Sequence, residues 1–397
     1  MNKRKIFNDP VYGFISIPYD VVFDVIEHPY FQRLRRIQQL GLSSLVYPGA
    51  THSRFHHSLG AMHLMYKSLE VLKSKGHTIT DAECKAAVLA ILMHDLGHGP
   101  FSHALEGVLI EQTHHEHISM LLMQDLITTF GADIELAIQI FTDQYHKHFL
   151  HQLVSGQLDM DRLDYLNRDS FYSGVSEGVV GYDRIINMLE LYNDHIVVEE
   201  KAVYSIEKFI VARRLMYWQV YLHKTSLVAD LMLKNAILRA KELAKKQDLS
   251  IGISSNLAYF LHHTVDESSF YQHIQKFALL DDYDIMQALK QWSTHEDTIL
   301  RKLASSIIHR TLFKIEYVDE QRAAQKYEQL SKQYSADEMR YFVLIGTAQN
   351  NAYNANKDNI FIKFKDGSIK EITEISEQWN IRSLSNPVVK HYIAYPK

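Results

Sequence analysis

The residues best equipped for chemistry stand in HDLGHGPFSH (94–103), where three histidines and an aspartate fall within ten positions broken by Gly97, Gly99 and Pro100. Imidazole and carboxylate together can hold a divalent cation and leave positions open for water or substrate. On a helix, His94 and Asp95 would point about 100° apart. One ion could take both only if it sat between that helix and others, so further ligands must come from elsewhere in the chain. HSRFHHSLG (52–60) and DMDRLD (159–164) are the candidates, each with a His or Asp near a helix start and beside an arginine. Taken singly, a His-Asp pair reads as a helix cap, HHEH (114–117) as a solvated run, and Arg54 or Arg162 as a surface charge. The ordered coincidence of RFHHSLG, HDLGHGPFSH, THHEH and DMDRLDYLNRD raises metal chemistry above those readings. Histidine usage agrees: of 23 histidines, 14 lie between His52 and His151, and exposed histidines have no reason to cluster.

The elements that must carry these side chains read as helices. Pro29 opens and Gly41 closes a predicted helix with Phe31, Leu34, Ile37 and Leu40 at three-residue spacing. Leu59, Met62, Met65, Leu69 and Leu72 extend a second from His57 to Gly76. TDAE (80–83) is a capping box, Thr80 the N-cap and Glu83 reaching back, for a helix running to about Asp95 and stopping at Gly97. Residues 205–246 lack Gly and Pro and predict one very long helix or two abutting ones. After about residue 310, YFVLIGTA (341–348), NIFIKFKDGSIKEI (359–372) and VVKHYIAY (388–395) turn to β-branched and aromatic residues, with a hairpin turn at Lys365-Asp366-Gly367. The expected fold is mainly α: an all-helical core over residues 1–310 and a small α+β C-terminal subdomain over 311–397.

With 397 residues, 46% of them hydrophobic, the chain can bury a large core. A net charge of -5 argues against a general nucleic-acid or acidic-membrane binder. The single cysteine, Cys84, excludes an internal disulfide and a thiolate-rich metal site, and suits a reducing compartment. MNKRKIFNDP is followed by no apolar run, so it is not read as a secretory signal. AAVLAILM (86–93) is too short to span a bilayer. A cytoplasmic protein without a membrane partner is the expectation.

The four ordered segments, together with NDPVYGFISI, FQRLRRIQQLG, VYPGATHSRFHHSLG and HRTLFK (309–314), resemble the HD-domain phosphohydrolases. More narrowly, they resemble the deoxynucleoside triphosphate triphosphohydrolases, which include bacterial dGTPase-like enzymes and the human enzyme carrying SAM and HD domains. The resemblance covers about four-fifths of the chain and implies release of deoxynucleoside and intact triphosphate by water attack at the α-phosphorus. It implies that His57, His94, Asp95 and Asp161 hold a divalent metal, with Mn²⁺, Fe²⁺, Ni²⁺, Zn²⁺ and Mg²⁺ all open. His98, His103 and His115 match imidazoles beside the α-phosphate, and Glu116 matches the same pattern. His103 is expected as general acid, oriented by Glu106 three residues on. Arg54 matches an α-phosphate contact, Arg162 stands where many relatives have Lys, and Arg213 matches a γ-phosphate contact. Tyr165 and Asp169 resemble sugar-side residues, Gln39 a 3′-hydroxyl contact, and Tyr221 the aromatic that would exclude a 2′-hydroxyl.

The resemblance also implies a homo-oligomer, dimer or tetramer, with a nucleotide effector between subunits. Lys5, Asn8, Gln32 and Arg35 match effector positions, and Arg184 and Lys201 a second set, where Glu199 replaces a basic residue. The base preference stays open, with dGTP the first candidate. Among rival readings, a non-catalytic nucleotide-binding HD module would need lost ligands, and all four positions are present. An HD-type di-iron oxygenase would have little use for the arginines and tyrosines. The runner-up is a phosphohydrolase acting on a monophosphate, alarmone or cyclic nucleotide.

Overall fold

The computed structural model describes residues 5–246, 252–350, 352–354, 359–376, 381 and 385–397. A hairpin of β1 (Ile6–Asp9) and β2 (Gly13–Ser16) precedes the first helices, α1 (Asp20–Glu27), α2 (Pro29–Gln32), α3 (Arg54–Ser74), α4 (Asp81–Met93) and the short α5 (Ser102–Leu105). Then come α6 (His115–Phe130), α7 (Ala132–Phe141), α8 (His148–Val154), α9 (Met160–Ser173) and α10 (Tyr182–Asn187). A second hairpin, β3 (Leu189–Tyr192) and β4 (His195–Glu199), leads into α11 (Val203–Met216), α12 (Lys224–Ala244), α13 (Ser255–His262), α14 (Ile274–Phe277), α15 (Asp282–Trp292) and α16 (Thr298–Ile308). The C-terminal part holds β5 (Lys314–Tyr317), two helices α17 (Glu320–Ser331) and α18 (Ala336–Phe342), β6 (Leu344–Asn350), β7 (Phe361–Lys363), β8 (Ile369–Glu371), α19 (Ile372–Ile375) and β9 (Val388–Tyr395).

The fold is mainly α with a small α+β C-terminal part, as the sequence reading expected. Helix α4 lies at its centre, because a helix apolar on every side must be enclosed: Ala86 to Met93 are all buried. Its start is the expected capping box, with Thr80 Oγ1 accepting from the Glu83 amide at 3.2 Å and Glu83 Oε2 accepting from the Thr80 amide at 2.8 Å. Helices α3 and α7 cover it, and α9 crosses α3 on the other side. The Lys365–Gly367 turn joins β7 to β8, with Gly367 at φ +86°.

Three expectations need correction. The core is not helical throughout, since two hairpins lie within it. The C-terminal segment also reaches into it: β7 pairs in parallel with β4, Val197 opposite Phe361, while β5, β9 and β6 form a separate antiparallel sheet. The helix expected from Pro29 to Leu40 stops at Gln32, continues as a 3₁₀ turn over Arg33–Arg36, and is extended at Ile37. Arg33 explains the change. Its buried guanidinium donates to the carbonyls of Leu280, Leu96 and His98 at 2.7, 3.1 and 2.7 Å, while Gln38 pairs with Ser53. Tertiary bonds outweigh the apolar spacing. The long segment 205–246 is two helices, α11 and α12, separated by a π-turn at Tyr217–Tyr221.

Asp282, at the start of α15, ties two loops together. One carboxylate oxygen accepts from the Gln38 amide at 2.8 Å and the other from the Phe101 amide at 2.9 Å. Phe101 is left-handed, φ +45°, a conformation that costs a non-glycine residue unless its surroundings hold it. Burial raises this carboxyl to about 7, over the opposing effect of the two amides. A group with a raised native pKa contributes most below its unfolded value near 4, and that contribution is lost as pH rises through 7. Asp282→Asn is expected to remove this component from the pH dependence of urea unfolding, and Asp282→Ala to cost about 2–4 kcal/mol by leaving two buried amides unpaired. An unaltered pH profile in Asp282→Asn would refute the assignment.

Candidate active site

The N-terminus of α3, the turn after α4 and the N-terminus of α9 meet at one point. His57 Nε2 lies 3.0 Å from Asp161 Oδ1, His94 Nε2 lies 3.5 Å from the same oxygen, and the two Nε2 atoms are 3.4 Å apart. These three ligand atoms are all within 4.8 Å of one another. Asp95 stands beside them, 3.2 Å from His94 Nε2 and 3.8 Å from His57 Nε2. The two imidazoles are held by their far nitrogens: His57 Nδ1 is 2.7 Å from Asp164 Oδ2, and His94 Nδ1 is 2.6 Å from the Ile91 carbonyl. With each Nδ1 facing an acceptor, a cation that displaced the Nε2 protons would meet both Nε2 atoms across the gap, the arrangement of metal-bound histidines.

The charges agree with a cation site. Against the cost of its own burial, hydrogen bonds to Asp161 and Asp164 hold the His57 imidazole up at about 10. Asp161 is pushed well below the carboxylate range, since His57 and His94 outweigh the effect of burial. Of the nearby carboxylates, Asp95 is paired with Arg54 and Asp164 with Arg168, which leaves Asp161, facing both Nε2 atoms, as the one a divalent ion would neutralise.

Next to these ligands lie the other expected imidazoles. His98 Nε2 is 3.1 Å from Asp95 Oδ1, its Nδ1 is 2.6 Å from Ser102 Oγ, and its ring stacks on His115 at 3.9 Å. Burial first, then Arg54, drives its pKa well down. Arg54 Nη1 donates to Asp95 at 2.7 Å, and its Nη2 lies 3.4 Å from His103 Nε2. The expected pairing of His103 with Glu106 does not form. Helix α5 ends at Leu105 and Glu106 is extended, so its carboxylate turns to His115, 2.8 Å from Nδ1 and 3.0 Å from the backbone amide. That contact holds the Glu106 carboxyl down at about 2. His103 opens onto solvent in the cavity, and the surrounding walls and then Arg54 push its pKa down.

A cavity of about 420 Å³ opens from this cluster, within the size range of small-ligand sites. His94, Asp95, Asp161, Arg54, His98, His103, His115 and Glu116 line one end, and Gln39, Tyr165, Asp169 and Tyr221 line the adjoining wall. Tyr221 donates to Asp169 at 2.8 Å, and Asp169 also meets His52 at 2.7 Å. Gln39 Oε1 is buried without a hydrogen-bond partner. Arg162 and Arg213 do not line the cavity. Arg162 is bonded to Asp159 and the Gly156 carbonyl, and both arginines act electrostatically on Tyr165. The effector-matched residues lie apart: Lys5 sits over Phe23, Asn8 is exposed on β1, and Arg35 donates to Gln32 at 2.8 Å while covering Phe55. Arg184 donates to the Lys201 carbonyl at 2.6 Å, and Glu199 pairs with Lys75.

Several contributors escaped the sequence reading. Asp164 and Arg168 fall three and seven residues after Asp161, so helical periodicity could have put them on one face. Asp9, Asp230 and Asp282 carry no local signal, because only the fold brings them near. Gly60 and Gly97 permit the close packing. A Cβ on Gly60 would stand 1.9 Å from Asp164 Oδ1, and one on Gly97 would stand 2.0 Å from the His115 carbonyl.

Comparison with known proteins follows the same lines. Residues 180–252 match the family model described as HD associated region. A crystal structure of a phosphohydrolase from Bacteroides thetaiotaomicron VPI-5482 superposes with a TM-score of 0.93 at 49% identity, covering 100% of both chains. An uncharacterised protein of Bacillus subtilis is 29% identical over 100% of this chain and 93% of its own. A deoxynucleoside triphosphate triphosphohydrolase homolog of Dictyostelium discoideum is 34% identical over 62% of this chain, which spans 51% of that relative.

Asp164→Ala should loosen the His57 imidazole and strand Arg168 with Asp9 alone. A loss of about 3–5 kcal/mol in urea unfolding is expected, with divalent-cation affinity reduced about 10–100-fold by calorimetry. Unchanged cation affinity would show that Asp164 does not position the ligand.

Proposed function

Because the chain belongs to the HD-domain deoxynucleoside triphosphate triphosphohydrolase-like family of phosphohydrolases, we propose that it hydrolyses dNTPs to deoxynucleoside and intact triphosphate. The observation that carries this reading is the shared cavity: a His57–His94–Asp161 cation site at one end, phosphate-directed imidazoles beside it, and the Tyr221–Asp169 pair with an unpartnered Gln39 along the wall. A divalent cation there would supply a water nucleophile at neutral pH and neutralise phosphate charge. No particular ion is favoured by two imidazoles and a carboxylate.

The chain's own groups do the rest. Arg54, anchored on Asp95, meets the α-phosphate without needing to reorganise. The ionised Glu106 backs His115, which makes this pair the better carrier of the proton that the departing 5′-oxygen needs. His103, held below its usual range, starts neutral and gains a proton only as substrate phosphate approaches. Arg54 also keeps a buried Nε without a hydrogen-bond partner on the cavity wall. The ring of Tyr221, fixed by Asp169, would press on the sugar where a 2′-hydroxyl projects. Assembly into a dimer or tetramer with a nucleotide effector near Lys5, Asn8, Gln32 and Arg35 belongs to the same reading, as does a cytoplasmic setting. Among the described residues no helix is long and apolar enough to cross a membrane.

A second reading rests on one observation: of the three arginines, only Arg54 lines the cavity. A nucleotide with fewer phosphates, such as a monophosphate, alarmone or cyclic nucleotide, would need only that one.

Incubation with Mn²⁺ and each dNTP, singly and in mixtures, is expected to yield deoxynucleoside and triphosphate on ion-pair chromatography. Turnover of monophosphates alone would favour the second reading. Asp161→Ala is expected to lose both bound cation and turnover. His115→Ala and Glu106→Gln should keep the cation while kcat falls roughly 10²–10⁴-fold and 10–10²-fold, respectively. Wild-type turnover in a cation-free Asp161→Ala protein would sink the mechanism.

A further inference from the structure

His52 stands behind the cavity wall rather than on it, in the loop that leads into α3. Its side chain is fully buried, and so is the Asp169 carboxylate that it meets. A carboxylate only accepts hydrogen bonds, so the 2.7 Å contact takes the His52 Nε2–H as its donor. The other Asp169 oxygen accepts from Tyr221 at 2.8 Å. Among the described residues these are the two donors to Asp169, and together they set the plane of its carboxylate.

The His52 ring is itself held on its face. It stacks on Tyr172 at 4.4 Å with 16° between the planes. Asp169 and Tyr172 lie three residues apart on one side of α9, so that helix grips the imidazole at its edge and across its face. The loop comes this close because residue 49 is a glycine, where a Cβ would stand 2.5 Å from the Tyr172 carbonyl. His52 Nδ1 is buried without a hydrogen-bond partner, so the bond to Asp169 is the ring's one polar contact among the described residues. The His52 backbone reaches the same wall, its carbonyl accepting from the Gln39 amide at 3.0 Å. Gln39, Asp169 and Tyr221 are thus joined through a residue that the cavity does not touch.

We propose that His52 is a positioning residue for the sugar: by fixing Asp169, and through it the Tyr221 ring, it sets the preference for deoxyribose over ribose. This inference rests on the dNTP reading of the site. Tyr221 is anchored at its backbone end by the π-turn Tyr217–Tyr221 and at its hydroxyl end by Asp169, so the ring cannot swing aside to admit a further hydroxyl. Without the His52 donor a buried carboxylate oxygen loses its partner, a costly state that the carboxylate relieves by turning. The Tyr221 hydroxyl would follow it. The cation ligand His57 would not, because Asp164 holds it separately.

Two variants test this. His52→Gln keeps an N–H donor at about the reach of Nε2, and His52→Leu fills similar space without one. Each dNTP and the ribonucleotide of the same base are compared in kcat and KM with Mn²⁺, and the matching phosphate-free nucleosides are compared by calorimetry. In His52→Leu the deoxy-over-ribo preference in kcat/KM is expected to fall roughly 10-fold, the scale of one hydrogen bond to a charged group. The dNTP should show a raised KM with kcat little changed, the mark of lost binding rather than lost chemistry. His52→Gln should restore most of the preference, and Mn²⁺ affinity should be unaltered in both. Should His52→Leu fail to fold, His52→Phe keeps the Tyr172 stack and carries the same comparison. No deoxy preference in a wild type that turns over dNTPs would overturn the proposal and leave the proposed reaction standing. An unaltered preference in the donor-free variant, or a parallel fall of Mn²⁺ affinity and kcat for every substrate, would do the same. A wild type that turns over no dNTP would count against the dNTP reading instead. The nucleosides then decide: a deoxy preference lost in His52→Leu supports the positioning role, and its absence overturns it.

Discussion

The site depends on a buried ionic chain that runs from the N-terminal hairpin to the candidate cation ligands. Asp9 accepts from Arg168 Nη1 at 2.7 Å, Arg168 donates to Asp164 at 2.9 and 3.0 Å, and Asp164 meets His57 Nδ1 at 2.7 Å. All four residues are buried. Charges taken out of water at this depth are tolerated only when every member is paired. The chain therefore fixes how β1, α3 and α9 sit together. Gly60 belongs to the same constraint, because the Asp164 carboxylate and the Arg168 guanidinium occupy the space its side chain would take. A hydrophobic contact could hold the same helices, but it would tolerate sliding. The salt-bridged chain does not, and a cation site needs its ligands placed to within a fraction of an ångström.

A second anchor acts from the other side. Arg33 draws the 30s segment onto the carbonyls of Leu96 and His98, and Asp282 clamps Gln38 and Phe101. The turn that carries His94, Asp95 and His98 is thus held between α6, through Ser119 and the close approach at Gly97, and the 30s segment. This arrangement requires α2 to end early and Phe101 to accept a left-handed backbone. Local preference is given up at two places so that three distant segments can line one cavity.

The same trade explains what the sequence revealed. The cluster of His57, His94 and Asp161 and the capping box on α4 were legible because each residue lies in a short motif with its own periodicity or spacing. The hairpin at Gly367 and the strands β6 and β9 were legible from composition and turn chemistry. The helix expected over Pro29–Leu40 was not, since its apolar spacing is real but Arg33 finds three carbonyls elsewhere in the fold. Glu106 was assigned to His103 because i,i+3 spacing presumes a continuing helix, and α5 ends one residue too soon. The pairing of β4 with β7 joins segments about 165 residues apart and leaves no local trace.

The resulting cavity is lined by groups held in two different ways. At one end, carboxylates, imidazoles and Arg54 are so interlinked that moving one disturbs its neighbours, which suits groups that must be in place before reaction begins. On the adjoining wall, Gln39 Oε1 is buried without a hydrogen-bond partner, which suits a group whose partner arrives with a ligand. A change at the Gln39 side chain would leave the His57–Asp164–Arg168–Asp9 chain intact, because its Oε1 makes no hydrogen bond to any member of it.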